Sequence, residues 1–466
     1  MIKRGLPAWM RASEIIDLLR LSGPIAVSRA SVMMMALTDA IMLGQFAHGE
    51  LTFVLNSWLP IGISLGFSLG ILLGVQVLTS ELMGVGKEEQ SGRIFRRALR
   101  WSVILGVIIT VLNYFCAEPL FRFMFIDLSP NDQISQTLTP EEIASATASV
   151  TRILSLSLLG FAISSVLGYY LEALRRPLIV TVVVWAGVVI NFAIDLALVA
   201  GWWGMPQLGA DGVAWATTGS RWAITIVLFL AVIWLTPAYK PSEPGPPDEG
   251  KRQLSVGVGT AISNVAEWGG FNLTYIIATW ISLAVNTAYG YSTQIMGMAF
   301  MLFLGIGTAT SVRVAEAYGS GDMQQVKEAS RLGIAATIFS GLVVGVLVIC
   351  FNDFLAGVLV DKENAIIDGE AIAPLIATLL VTVAFAILFD GLQAVASMAQ
   401  RAQEIVWVPS IIHIGSFFAI MLPAGYYLGI TLGRGAQGMI EAAFLGVFIA
   451  GVLQVVSLEM KMARHP

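Results

Sequence analysis

Four acidic side chains stand inside long apolar runs: Asp39, Asp195, Glu267 and Asp390. A charge in the middle of a membrane span is costly, so each one marks a candidate functional site. Asn191 precedes Asp195 by four residues, which puts an amide and a carboxylate on one helix face. Carboxylate plus amide oxygen is the start of a sodium or proton site, and Thr217 and Thr218 in the next run can add hydroxyl oxygens. The alternative is that Asn191 and Asp195 only cross-link helices, through Arg221. In the second half, Glu267 lies between Asn264 and Asn272, and Asp390 precedes Gln393 by three. Their central positions separate them from a solvated interface. Burial disfavours the charged form of a carboxyl, whereas a neighbouring cation favours it. A group balanced between the two can exchange a proton for a cation.

Other chemistry is excluded by what is missing. The sequence has no Walker GxxxxGK[ST], no GxSxG and no HExxH, and the GVGK at 84–87 lacks the strand and spacing of a P-loop. Cys116 and Cys350 make neither a disulfide framework nor a CxxC, and His48, His413 and His465 have no metal spacing. His413 is expected to be a hydrogen-bonded core residue. Glu81 and Glu316 sit near the inner ends of two spans and are expected to be solvated helix ends. The expectation is no enzyme and no cofactor, with transport driven by an ion gradient.

The elements that must hold these residues are membrane spans. The 466 residues are 56% hydrophobic and 12% charged, with mean hydropathy +0.79. Soluble domains carry roughly a quarter charged residues. A spanning helix needs about 20 mostly apolar residues. Twelve segments qualify, near 21–43, 54–79, 98–120, 153–174, 178–200, 211–235, 255–280, 287–312, 330–351, 372–398, 405–429 and 436–458. The basic, amphipathic N-terminus reads as the lead into a retained first span. With that end inside, twenty basic residues from Lys3 and Arg4 to Lys461 and Arg464 fall on inner segments. Arg122, Lys362 and Arg434 fall outside, with Arg152 at an outer mouth. This asymmetry requires an even span count and puts both termini inside.

The Pro-rich polar stretch 236–254 divides the spans six and six, which predicts an N-lobe at 1–235 and a C-lobe at 255–466. At an offset of 235 residues, Gly62, Gly70, Gly84 and Gly86 meet Gly297, Gly305, Gly319 and Gly321. Halves of six spans each make parallel repeats, related by a pseudo-two-fold axis along the membrane normal. Gly62, Gly66, Gly70 and Gly74 also give the second span a smooth face for close packing.

The chain resembles the MATE (multidrug and toxic compound extrusion) family, on its NorM-like side. LSGPIA, TDAIMLGQFA, WLPIGISLG, LMGVGK, YYLEALRRP, INFAIDLALVAG and LGADGVAWATT carry the resemblance in the first half. LFLGIGTATSVRVAEAYGSGD, FDGLQAVASMAQ and LPAGYYLGITLGRGAQG carry it in the second. The resemblance implies a two-lobed, twelve-helix antiporter that expels organic cations in exchange for Na⁺ or H⁺. It implies an N-lobe cation site at Asp39, Asn191, Asp195 and Thr217. It implies C-lobe acids at Glu267 and Asp390, with Na⁺ at either site, and a helix bend at Pro24. The chain departs from the family in AYGYSTQ at 288–294, where Gln294 could replace the usual polar partner, and in Glu81, where Gln is usual. The outer loop near 127–149 is longer than typical.

The alternative is a lipid or lipid-linked oligosaccharide flippase of the same superfamily. Such proteins tend to line the cavity with several basic residues, and here only Arg29 and Arg221 fall inside spans. A membrane enzyme or scaffold would need a nucleophile, metal ligands or a large soluble module. No basic stripe suggests nucleic acid. The expected partners are small cationic substrates and membrane lipids, with the protein working as a monomer in the inner membrane.

Overall fold

The computed structural model describes residues 11–47, 50–125, 139–360, 366–367 and 369–463. Lys3, Arg4, His48, Lys362, Arg464, His465 and positions 127–138 of the outer loop lie outside the described residues. The first half contains α1 Ala12–Phe46, α2 Leu51–Leu72, α3 Gly74–Gly84, α4 Gly92–Met124, α5 Pro140–Ala173, α6 Pro177–Leu198 and α7 Gly209–Leu235. The second contains α8 Glu249–Ile281, α9 Leu283–Gly319, α10 Met323–Cys350, α11 Asn352–Leu359, α12 Ile372–Arg401, α13 Trp407–Ile414, α14 Leu422–Gly425 and α15 Gly435–Ala463. Among the described residues the sole strands are a minimal hairpin, β1 Ile366–Ile367 with β2 Glu370–Ala371.

Eleven helical stretches among the described residues are long and apolar enough to cross a membrane, α2 with α3 forming one and Trp407–Thr431 another. The expected seventh span is α8. Its 33 residues reach about 50 Å at 1.5 Å per residue, but Glu249, Lys251, Arg252 and Glu267 lower its hydropathy. With α8, every one of the twelve expected spans is a helix, and the protein is an all-α membrane protein. Phe115, Val189, Phe339 and Phe354 are more than half exposed, as suits surfaces that face lipid.

Local signals set the ends. Thr139 and Glu142 form a reciprocal capping box at the start of α5, with Pro140 as the first helical residue. Arg175 adopts φ 58 just before Pro177, which separates α5 from α6 as the sequence predicts. α1 is one uninterrupted helical segment through Pro24. In Trp407–Thr431, π-helical turns at Gly415–Met421 and Tyr426–Thr431 flank Pro423. Proline lacks an N–H and crowds the carbonyl four residues back, which favours such widened turns.

Packing groups the chain into two units: residues 30–79 with 88–250, and 1–29 with 80–87 and 251–466. This differs from a division at 235 and 255. In the first unit, α5 lies against α4 at Gly106, where a Cβ would come within 2.7 Å of Leu159. It is tied to α7 by Thr225 Oγ1 donating to the Gly160 carbonyl at 2.9 Å. The Pro-rich stretch docks on the start of α4. Arg96 donates to the Ala238 carbonyl at 2.7 Å, and Arg93 and Arg97 pair with Glu249 at 2.8 and 2.9 Å. These contacts explain why that stretch packs with the first half.

In the other unit, a large core around Phe303, Leu379, Phe417 and Met439 joins α9, α12 and α15. The start of α1 belongs here because Leu18, Leu21 and Ile25 bury against Ala309, Val312 and Leu332. Arg313 also pairs with Glu14 and with Asp17, the latter at 3.3 Å. The end of α3 belongs here through glycine contacts. A Cβ on Gly84 would lie 1.9 Å from the Glu316 carbonyl oxygen, and one on Gly319 would lie 2.4 Å from that of Glu81. Each residue of one contact has its counterpart in the other at the 235-residue offset, so the sequence repeat appears as one reciprocal contact.

Candidate functional site

The cluster in the first half draws on three helices. Asp39 comes from α1, Asn191 and Asp195 from one face of α6, and Thr217 and Arg221 from one face of α7. All are buried; Asp39 is 5% exposed, and Asn191 and Asp195 are 0% exposed. Thr217 Oγ1 donates to Asp39 Oδ2 at 3.2 Å. Asn191 and Asp195 lie within interaction range of Asp39. Yet the second Asp39 oxygen, both Asp195 oxygens and both amide atoms of Asn191 have no hydrogen bond of ordinary geometry. Buried polar groups are normally satisfied, and a buried carboxylate without a counter-charge is expensive. Six oxygens from two carboxylates, an amide and a hydroxyl therefore converge on a position where positive charge would be stabilised.

The remaining members of that expectation separate. Thr218 donates to the Ile153 carbonyl at 3.0 Å, so its hydroxyl serves helix packing and not the cluster. Arg221 donates to Ser157 Oγ at 3.2 Å, and its guanidinium carbon lies 5.8 Å from the Trp58 ring centre and 5.3 Å from that of Phe161. Among the described residues it forms no ion pair with a carboxylate, which leaves the cross-link reading of Asn191 and Asp195 without its bridge.

In the second half, Glu267 of α8 and Asp390 of α12 are both buried and joined by one side chain. Gln393 Nε2 donates to Glu267 Oε1 at 2.9 Å and to Asp390 Oδ1 at 3.2 Å. Gln294, the substitute expected from α9, is exposed, and no hydrogen bond links it to the pair. The bridging amide comes from α12 itself, three residues after Asp390. The buried Arg401 adds a positive field at Glu267. His413 is buried as expected, but neither ring nitrogen has a hydrogen bond, and its ring meets that of Phe417 edge-on at 5.7 Å.

Glu81 is not a solvated helix end. It is buried, and Arg252 binds both it and Glu404, at 2.7 and 2.6 Å. The sequence shows the three charges but not their convergence, because they lie far apart in the chain. Among the described residues no three His, Cys, Asp or Glu side chains converge. The two clusters are oxygen-rich pairs of acids, suited to a proton or a hard monovalent cation and unlike a transition-metal cage.

Comparison with known proteins bears on what such clusters serve. The family model MatE matches residues 24–197 and 260–427. The chain is 32% identical over 448 residues to a probable multidrug resistance protein NorM of Caulobacter vibrioides, covering 94% of this chain and 90% of the relative. It is 27% identical over 465 residues to a probable NorM of Pseudomonas putida, covering 97% and 96%. Its fold superposes on the crystal structure of the eukaryotic MATE transporter AtDTX14 with TM-score 0.84 at 16% identity, covering 97% of this chain and 98% of that one.

Proposed function

We propose, from the premise that the chain belongs to the MatE family and is a membrane transporter and not an enzyme, that it exports organic cations in exchange for Na⁺ or H⁺. The relatives named above are called probable multidrug resistance proteins, which supports drug-like substrates here. The observation that carries ion coupling is the buried cluster of Asp39, Asn191, Asp195 and Thr217, most of whose oxygens have no hydrogen bond of ordinary geometry.

In this reading the coupling ion binds between Asp39 and Asp195 and removes their mutual repulsion. Asp39 lies on α1, so the change reaches the helix that Pro24 weakens. Glu267 and Asp390 form a second acidic locus, bridged by Gln393, that binds substrate cation or coupling ion. The two lobes exchange access between inner and outer faces. Both termini and the stretch 236–254 face the cytoplasm, and the protein sits in the inner membrane.

The deciding experiment is efflux of an organic cation from proteoliposomes under separately imposed Na⁺ and pH gradients. Efflux should follow at least one gradient. Efflux that ignores both would remove the antiport reading.

A further inference from the structure

Arg221 is out of place in a site for positive charge. It is buried one turn along α7 from Thr217, the residue that touches Asp39. Buried guanidinium groups normally pair with a carboxylate, and that of Asp39 lies within electrostatic range. Instead Arg221 donates to the Ser157 hydroxyl, and Trp58 and Phe161 present their rings to it at 5.8 and 5.3 Å. Ring faces satisfy a cation without neutralising it.

We propose that Arg221 is a fixed counter-charge, held off the carboxylates by Trp58 and Phe161, which sets this site to take one monovalent cation or one proton. The proposal rests on the reading of this cluster as the coupling site. Asp39 and Asp195 together carry two negative charges when ionised, and Arg221 carries one positive charge. One mobile positive charge then balances the pocket. Without Arg221 the pocket would take two monovalent charges or a divalent cation. With Arg221 free to swing onto Asp39 or Asp195, the pocket would hold its own cation and bind none from outside. Arg221 is thus a positioning residue for charge, and the two rings determine how it acts.

The test uses the full-length protein in nanodiscs, with NaCl titrated at fixed pH and, separately, protons titrated without Na⁺, binding being followed calorimetrically. Wild type should take up one charge in whichever arm responds, and Asp39→Asn should take up none. Arg221→Gln should bind two charges, with the first about tenfold tighter or more, since a unit charge has been removed from a poorly screened pocket. Phe161→Leu and Trp58→Leu should weaken binding at least tenfold, and adding Arg221→Gln to Phe161→Leu should restore it.

That rescue separates a charge effect from mere damage to the fold. If Arg221→Gln still takes one charge at unchanged affinity, or the double variant stays as weak as Phe161→Leu, the counter-charge role is wrong while the coupling site stands. If Asp39→Asn binds as wild type does, the coupling site itself is wrong and the inference falls with it.

Discussion

At the scale of single residues, the acids were legible because charge in an apolar run stands out whatever the fold. Their partners were not. Gln393 follows Asp390 by one turn and was visible on that face, but only the packing of α8 beside α12 makes it the bridge to Glu267. The rings around Arg221 come from positions 58 and 161, which no spacing rule connects. Two expectations follow. Asp39→Asn should abolish ion-coupled efflux, and Asp195→Asn should weaken it and shift its Na⁺ or pH dependence. Efflux measured against pH at fixed membrane potential, with and without Na⁺, checks this, and unchanged ion dependence in both would move coupling to the second locus. Gln393→Leu should leave Glu267 and Asp390 without their shared donor and impair drug resistance as much as Glu267→Gln or Asp390→Asn does. Equal amounts of folded protein for all three variants, judged by size-exclusion profile, make the comparison valid.

At the scale of elements, hydropathy and charge punctuation located all twelve spans, including α8, whose own acids and bases reduce its apolar signal. Helix ends were less legible, because α5 starts at Pro140, well before the apolar stretch, on the Thr139 cap, and α9 runs on to Gly319 beyond its own. Glycine periodicity showed where helices could approach but not which would. Gly84 is a case in point, since its hydrogen faces the backbone of Glu316, 232 residues away in the chain. Gly84→Ala should force the ends of α3 and α9 apart, at about 1–3 kcal/mol for an overpacked contact. Gly297→Ala, with nothing within 4 Å of the added carbon, should be tolerated. Thermal unfolding in detergent should show a lowered midpoint for the first variant alone, and equal midpoints would mean the contact gives way freely.

At the scale of the whole molecule, the charge asymmetry predicts that a cysteine placed in the stretch 236–254 reacts with an impermeant thiol reagent only after the inner face is opened. Cys116 and Cys350 are exposed, so the assay needs both replaced first. Labelling of intact cells would reverse the orientation. The sequence could not show that this stretch is pinned to α4 through Glu249, since that depends on arginines more than 150 residues earlier. The reciprocal glycine contact carries a further consequence. In a two-fold interface between identical subunits, every pair of touching residues occurs twice. Gly84 on Glu316 and Gly319 on Glu81 have that form inside a single polypeptide, as a fused dimer would. The charges beside this contact do not share its symmetry. The counterpart of Arg252 at the same offset is Asp17; Arg252 binds Glu81, whereas Asp17 binds Arg313. The backbone contact keeps a symmetry that the side chains have broken, so equivalent substitutions in the two halves should not have equivalent effects.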